Sequence, residues 1–321
     1  MAPRHSSLLP PENAVSRPFR IAAATHPGAP EMTDDDRLAF DLLAARGIAV
    51  EALPWSREDA DWSAFDRVVI RSTWDYHKHL DAFRAWARRV EADGARLWNP
   101  AAVVAWNSEK TYLRDLEAAG IPIVPTRWVA RGAASRLAEE LAGLAAPAVV
   151  VKPTVSASAY RTVSLRREEA AARQEEWEAL LADSGAMIQP LMREVTLDGE
   201  WSFLFFRRGG RLAFSHAVRK RPAAGDFRVQ SEAGGTSQAE TPPPELLAQV
   251  EGLIAAAARV APGELLYARM DGVVSRGDEA PAGTFLLMEL ELIEPYLFLG
   301  ISPGAAERFA EAIAGAIAEI A

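Results

Sequence analysis

One stretch constrains this chain more than any other: Thr284 to Leu299, read together with Asp271 just upstream. It runs Thr-Phe-Leu-Leu-Met-Glu289-Leu-Glu291-Leu-Ile-Glu294-Pro-Tyr-Leu-Phe-Leu. Phe285 to Met288 is the apolar run of a strand. Residues two apart in a strand share a face, so Glu289 and Glu291 sit side by side. Carboxylates that close repel and push a pKa upward unless positive charge stands between them. A hard divalent cation, which takes oxygen ligands, is the usual answer. Leu265 to Val274 is a second strand-like run. The linker between them carries Gly277, Pro281 and Gly283, so the two runs read as a hairpin. Asp271 then reaches the same face, and Asp271, Glu289 and Glu291 read as a magnesium site. The alternative is a solvated sheet face, against which stands the rarity of acidic residues in strands.

The rest of the chain narrows what such a site serves. Its 321 residues suffice for two or three packed domains. A net charge of −9 argues against nucleic acid or an anionic membrane as the main partner. There is no cysteine, which removes disulfides, thiolate catalysis and cysteine-ligated zinc, and fits a cytoplasmic protein. No apolar run approaches the roughly 18 residues of a membrane span. Residues 1–17 lack an apolar signal-peptide core and read as a disordered tail.

From Phe19 onward the pattern alternates. Phe19–Thr25 is a buried-type strand, Thr33 to Asp36 has the spacing of a capping box, and Leu38, Leu42 and Leu43 mark a helix face stopped by Gly47. Strands at Ile48–Leu53 and Val68–Ile70 follow, giving an open parallel α/β sheet. Ligands bind beyond the carboxyl ends of such strands. There stands Arg71-Ser72-Thr73-Trp74-Asp75-Tyr76, suited to a small anionic, amino-acid-like ligand; the alternative is an ordinary capped loop. His77 and His79 read as solvated, since no HExxH pattern accompanies them.

A helix is expected from Asn107 or Ser108 to Gly120, a strand over Ile121–Val129 broken by Pro122 and Pro125, and a helix from Ala133 to Leu144. Val149-Val-Val-Lys152 ends a strand on a lysine, which is costly to place unless it meets an anion or the surface. Small residues and hydroxyls follow it, a loop over which a backbone can approach polyphosphate. Neither the Walker GxxxxGK[ST] nor the Rossmann GxGxxG occurs anywhere in the chain. A helix over Glu168–Asp183, a strand ending at Gln189-Pro190-Leu191-Met192 and a hairpin about Gly209-Gly210 come next. Arg219-Lys220-Arg221 is a basic knot, either solvated or set on phosphate. Helices about Leu246–Ile254 and Phe309–Ile320 complete the chain, and the last leaves a homodimer open.

The order of these pieces carries a resemblance. A lysine at a helix start, a lysine at a strand end, a Gln-Pro-Leu turn, Gly225-Asp-Phe-Arg228 with Gly234-Gly235, then an aspartate and a Glu-x-Glu pair resemble the ATP-grasp carboxylate–amine ligases of the glutathione-synthetase and ribosomal-protein-S6-glutamyl-ligase branch. Arg71–Tyr76, Ser215-His-Ala217 and Met288–Pro295 are similar to the cyclo-ligase family of D-cycloserine biosynthesis. The resemblance implies an ATP-grasp fold: a parallel α/β domain over 18–105 and two α+β subdomains, 106–187 and 188–321, gripping ATP. It implies that Lys110 and Lys152 hold phosphates under a loop containing Ser156 and Ser158. Gln189, Pro190, Leu191 and Met192 would read adenine, and Glu200 the ribose. Arg228 and Lys220 would serve catalysis, Arg71, Ser72, Thr73 and Trp74 the substrate. Asp271, Glu289 and Glu291 would hold two magnesium ions. Two departures stand out: the family commonly has Asn where this chain has Glu291, and the loop after Lys152 is Ser/Ala-rich rather than Gly-rich. The implied reaction activates a carboxylate as acyl phosphate for an amine. A nucleotide-binding sensor and a phosphotransferase that stops at a phosphorylated product are the competing readings.

Overall fold

The computed structural model describes residues 18–157, 159–230 and 233–319, so the expected tail over 1–17 lies outside the described residues. The described residues form three sheets. The first is parallel, from β1 (Arg20–Thr25), β2 (Ala49–Pro54), β3 (Arg67–Ile70) and β4 (Arg96–Trp98), in the order β2-β1-β3-β4. Period-two alternation divides it between two cores. Ile21, Ala23 and Val69 face helices 34–44 and 305–318, while Ala22, Ala24, Val68 and Ile70 face helix 80–92. Helix 34–44 starts on Thr33, whose hydroxyl accepts from Asp36 N.

The second sheet is antiparallel: β5 (Arg127–Val129), β6 (Ala148–Pro153), β7 (Val163–Arg166) and β8 (Ala186–Pro190), in the order β5-β8-β6-β7. The third carries the chemistry: β9 (Glu200–Arg208), β10 (Arg211–Arg221), β11 (Thr236–Ala239), β12 (Tyr267–Val274) and β13 (Phe285–Glu291), ordered β11-β10-β9-β12-β13. Phe203, Phe205 and Met270 pack under helix 244–260, and Leu204, Phe206 and Tyr267 under helix 305–318. The last helix therefore lies between the first and third sheets. Its Phe309 meets Phe40, Phe206 and Tyr267 at 6.3, 5.0 and 6.0 Å between ring centres. No helix among the described residues is long and apolar enough to cross a membrane.

Several local expectations are corrected. The helix expected to begin at Asn107 instead ends there: Ala101–Asn107 is one helix and Tyr112–Ala118 the next. Asn107 is no cap. Its amide donates to Leu290 O (2.8 Å) and accepts from Leu292 N (2.9 Å), completing the backbone bonding of the stretch that leaves β13. Asn99 does the same, donating to Tyr267 O and Leu292 O and accepting from Leu266 N. The strand expected over Ile121–Val129 shrinks to β5, because Pro122 and Pro125 have no N–H for a ladder; Ile123 keeps one bridge to Leu287. The helix expected over 133–144 is a single turn or so, Leu137–Leu141. The one expected over 168–183 opens as a 3-10 segment, 167–173.

Candidate active site

The hairpin expected around the Glu-x-Glu pair is present, and its register makes the site. β12 and β13 pair antiparallel with Asp271 opposite Glu289 and Arg269 opposite Glu291. Cross-strand partners share a face, so all four side chains look the same way. A bulge between Asp271 and Gly272 ends that regularity. Gly272 suits it: a Cβ there would lie 2.3 Å from Leu286 O.

The face opens into a cavity of about 650 Å³, the size of a ligand pocket. Each part of the chain contributes to its wall. Trp74 and Tyr76 come from the loop after β3; Lys110 and Lys152 from the short helix start and the end of β6; Gln189, Pro190, Leu191 and Met192 from the end of β8. Glu200 and Lys220 come from β9 and β10, and Phe227, Arg228, Val229 and Gln230 from the segment before β11. Arg269, Asp271, Glu289, Glu291 and Glu294 close it. The stem of this arrangement is stitched by the backbone: Lys110 N donates to Thr154 O at 2.7 Å, so the two expected phosphate lysines sit on joined elements.

Charges in the cavity are interleaved. Lys110 Nζ donates to Glu289 Oε1 (2.6 Å) and Ser156 O (3.0 Å). Burial would raise the Glu289 pKa, but Lys110, then Lys152, hold it below the usual carboxylate range. Lys220 Nζ bridges Glu200 (2.5 Å) and Asp271 (3.1 Å). Asp271 is saturated: Oδ1 accepts from Ser202 Oγ and Arg269 Nε, Oδ2 from Lys220 and Arg269. Against its burial, Arg269 and Lys220 keep it well below the usual range. Arg269 also donates to Glu291 Oε1. Burial still pushes Glu291 up to about 7, Arg269 opposing. Lys152 has no ion-pair partner within 4 Å among the described residues, and burial lowers its pKa.

This arrangement tests whether a metal ion fits. The donors are hard carboxylate oxygens. Glu289 Oε2 and Glu291 Oε2 lie on one strand face and receive no hydrogen bond from a described residue. The pair therefore has oxygens to offer, and the fit is good there. Asp271 has none to spare, and no three acidic or imidazole groups among the described residues already converge on one point.

Other expected site residues fare variously. Arg71, Ser72 and Thr73 do not line the cavity, whereas Trp74 does. The Arg71 guanidinium is 2% exposed and spent on Asp36 (2.8 Å), Pro295 O (2.7 Å) and Ile70 O. The expectation that it meets substrate is corrected: it ties the first sheet to the segment after β13. Ser72 and Thr73 are fully buried, with hydroxyls that find no partner among the described residues. In the basic knot, strand alternation sends Lys220 inward, while Arg219 pairs with Glu240 (3.0 Å) and stacks 3.5 Å over Trp201. Arg228 borders the cavity but pairs with Asp226 at 2.8 Å. Ser156 lines the cavity; Ser158 lies outside the described residues. Gly235 lets the segment before β11 fold back, for a Cβ there would stand 2.1 Å from Val229 O. The residue sequence reasoning missed is Arg269, and the signal was available: it stands two before Asp271, hence on its face.

Comparison with known proteins decides the family. The cycloserine biosynthesis protein DcsG of Streptomyces lavendulae is 32% identical over 284 residues, spanning 84% of this chain and 89% of its own. The chain belongs to the DcsG family of ATP-grasp ligases. A family model described as the D-cycloserine synthetase DcsG N-terminal domain matches residues 21–99. The crystal structure of D-cycloserine synthetase DcsG superposes with a TM-score of 0.81 at 29% identity, covering 93% of this chain and 99% of that one. D-alanine–D-alanine ligase from Bacillus anthracis shares the fold, with a TM-score of 0.66 at 15% identity, 94% of this chain and 96% of that one. The expected ATP-grasp fold is thus borne out, and the chain is an ATP-dependent ligase of specialised metabolism.

Proposed function

We propose that this enzyme activates the carboxylate of a small amino-acid-like molecule as an acyl phosphate and lets an amine displace the phosphate. In the first step a carboxylate oxygen forms a bond to the γ-phosphorus as the bond to the β,γ-bridging oxygen breaks, releasing ADP. In the second the amine nitrogen bonds to the carbonyl carbon, the acyl–phosphate C–O bond breaks, and the nitrogen sheds a proton. Phosphoryl transfer is chiefly positioning and charge neutralisation, and the cavity is built for both. The observation that carries the reading is the convergence of Lys110, Lys152, Lys220, Arg228 and Arg269 with Glu289 and Glu291 in one cavity.

Lys110, Lys152 and Arg228 hold the phosphates, with Lys220 and Arg269 neutralising charge as the phosphoryl group moves. Gln189 to Met192 take adenine and Glu200 the ribose. Glu289 and Glu291 would hold Mg²⁺, with Asp271, held by Arg269 and Lys220, beside them. Bound there, the ions would supply positive charge at the β- and γ-phosphate oxygens. The parts of the grip are 18–105, 106–187 and 188–321. The DcsG relative is tied by name to cycloserine, a ring, which favours amine and carboxylate in one molecule. ADP release dependent on an added amino acid, with mass spectrometry of the product, tests this. A product one water lighter than a single substrate marks cyclisation, and one joining two substrates marks intermolecular ligation. ATP turnover indifferent to every added carboxylate overturns the proposal.

A further inference from the structure

The cavity is not uniform. The part walled by β6, β10, β12 and the segment before β11 carries Lys152, Lys220, Arg269 and Arg228. The part walled by the β3 loop and the segment after β13 carries Trp74, Tyr76, Tyr296 and the carboxyl group of Glu294, with Phe298 under the Arg269 guanidinium at 5.8 Å. The main chain at Glu294 and on both sides of it is fixed by side-chain donors. Tyr267 Oη donates to Ile293 O at 2.8 Å, Trp74 Nε1 to Glu294 O at 3.4 Å, and Arg71 Nη2 to Pro295 O at 2.7 Å. The side chain so presented lines the cavity, and apart from its own backbone N–H it meets no donor among the described residues. Lys110 is the cation whose charge bears on it, and it is already engaged by Glu289 and Ser156. Beside it, Tyr76 is 6% exposed, and its hydroxyl, on the cavity wall, bonds to no described residue. Burial, then Glu294, raise the Tyr76 pKa well above its ordinary value, so it stays a neutral donor and acceptor.

Burial pushes Glu294 up to about 8, and a cation beside it would draw it back to the charged form. An unpartnered carboxyl group, a free phenol and aromatic faces are what an organic ammonium group needs. We infer that Glu294, flanked by Tyr76 and Trp74, holds the ammonium group of a zwitterionic amino-acid substrate and so selects amino acids over carboxylic acids lacking the amine. The inference rests on the ligase reading above and names its substrate class. It also gives the reacting carboxylate a direction: with the ammonium held at Glu294, that carboxylate points toward the lysines and arginines. Arg71, Trp74 and Tyr267 hold the main chain, and Glu294 does the recognising.

The test measures ADP release by the full chain with ATP and Mg²⁺. The panel pairs alanine and serine, each in both enantiomers, with propionate, lactate and glycerate. Stimulation by amino acids at least ten times that by the amine-free acids is expected. Glu294→Gln, which keeps shape but not charge, will raise the amino-acid KM about 10- to 100-fold, the loss of a charge-assisted bond, and move the ATP KM less than threefold. Glu294→Asp will recover part of the loss. Equal stimulation by amine-free acids, or an unchanged amino-acid KM in Glu294→Gln, overturns the inference and leaves the ligase reading standing. ATP turnover blind to the whole panel overturns both. Should Glu294→Gln fail to fold, the comparison of paired acids on the wild-type enzyme still decides.

Discussion

Arg71 offers the sharpest division between what the sequence suggests and what the structure does. Sitting beyond a parallel strand beside hydroxyls and aromatics, it looks like a substrate arginine. In the structure its guanidinium and the Asp36 carboxylate are 2% and 4% exposed and 2.8 Å apart. Its Cζ lies 5.3 Å from the Tyr267 ring centre and 5.6 Å from that of Phe309. Arg71→Met leaves Asp36 as a buried charge facing no cation and removes the donor to Pro295 O. Breaking such a pair from one side costs about 3–5 kcal/mol, which for a chain this long lowers Tm by roughly 6–15 °C. Replacing both partners, Arg71→Met with Asp36→Leu, will recover more than half of that, since an apolar pair leaves no stranded charge. Urea unfolding followed by circular dichroism gives the midpoints. Below the unfolding temperature, the single variant will raise the KM for the best amino acid of the panel by less than Glu294→Gln does, since it loosens the main chain beside Glu294 without touching the ligand. A variant with the wild-type unfolding midpoint and a tenfold higher substrate KM refutes this assignment and returns Arg71 to the ligand.

Lys152→Met and Glu289→Gln will each abolish ATP consumption with unfolding midpoints close to wild type; near-normal turnover in either purified variant removes that residue from the site. His216 is 4% exposed, with Nε2 on Leu297 O at 3.0 Å, and burial lowers its pKa to about 4. The folded state thus takes up its proton later than the unfolded state. Stability is fully present above the ordinary histidine value and declines as pH falls from about 6.5 toward 4, by about 3 kcal/mol at most. A His216→Gln variant will show a flatter stability profile across that window, measured by urea unfolding at several pH values; an unchanged slope sinks the idea.

How much was legible follows from the kind of signal each feature leaves. Strand alternation announced the first sheet, and the order of lysines, turn and carboxylates announced the ATP-grasp fold. The Glu-x-Glu hairpin was readable because a period of two admits one geometry. Arg269 obeys the same rule and was passed over because an arginine in a strand has common surface explanations. Arg71 misled because local sequence shows which groups end a strand, not that Asp36 would reach them from a helix 35 residues upstream. Asn99 and Asn107 look like ordinary turn and cap residues. Their real partners, the backbone at Tyr267, Leu290 and Leu292, lie far along the chain, and nothing local encodes them. Glu294 gained a reading once its neighbours from the first sheet were in view.

The central claim is that the interleaved cavity makes an acyl phosphate. The direct measurement adds hydroxylamine to the wild-type enzyme with ATP, Mg²⁺ and the best amino acid of the panel, and quantifies hydroxamate against ADP. The account predicts the hydroxamate of that amino acid in amounts approaching the ADP released, and none with Lys152→Met. ADP accompanied by a phosphorylated product inert to hydroxylamine, or ATP bound with no ADP formed, contradicts it.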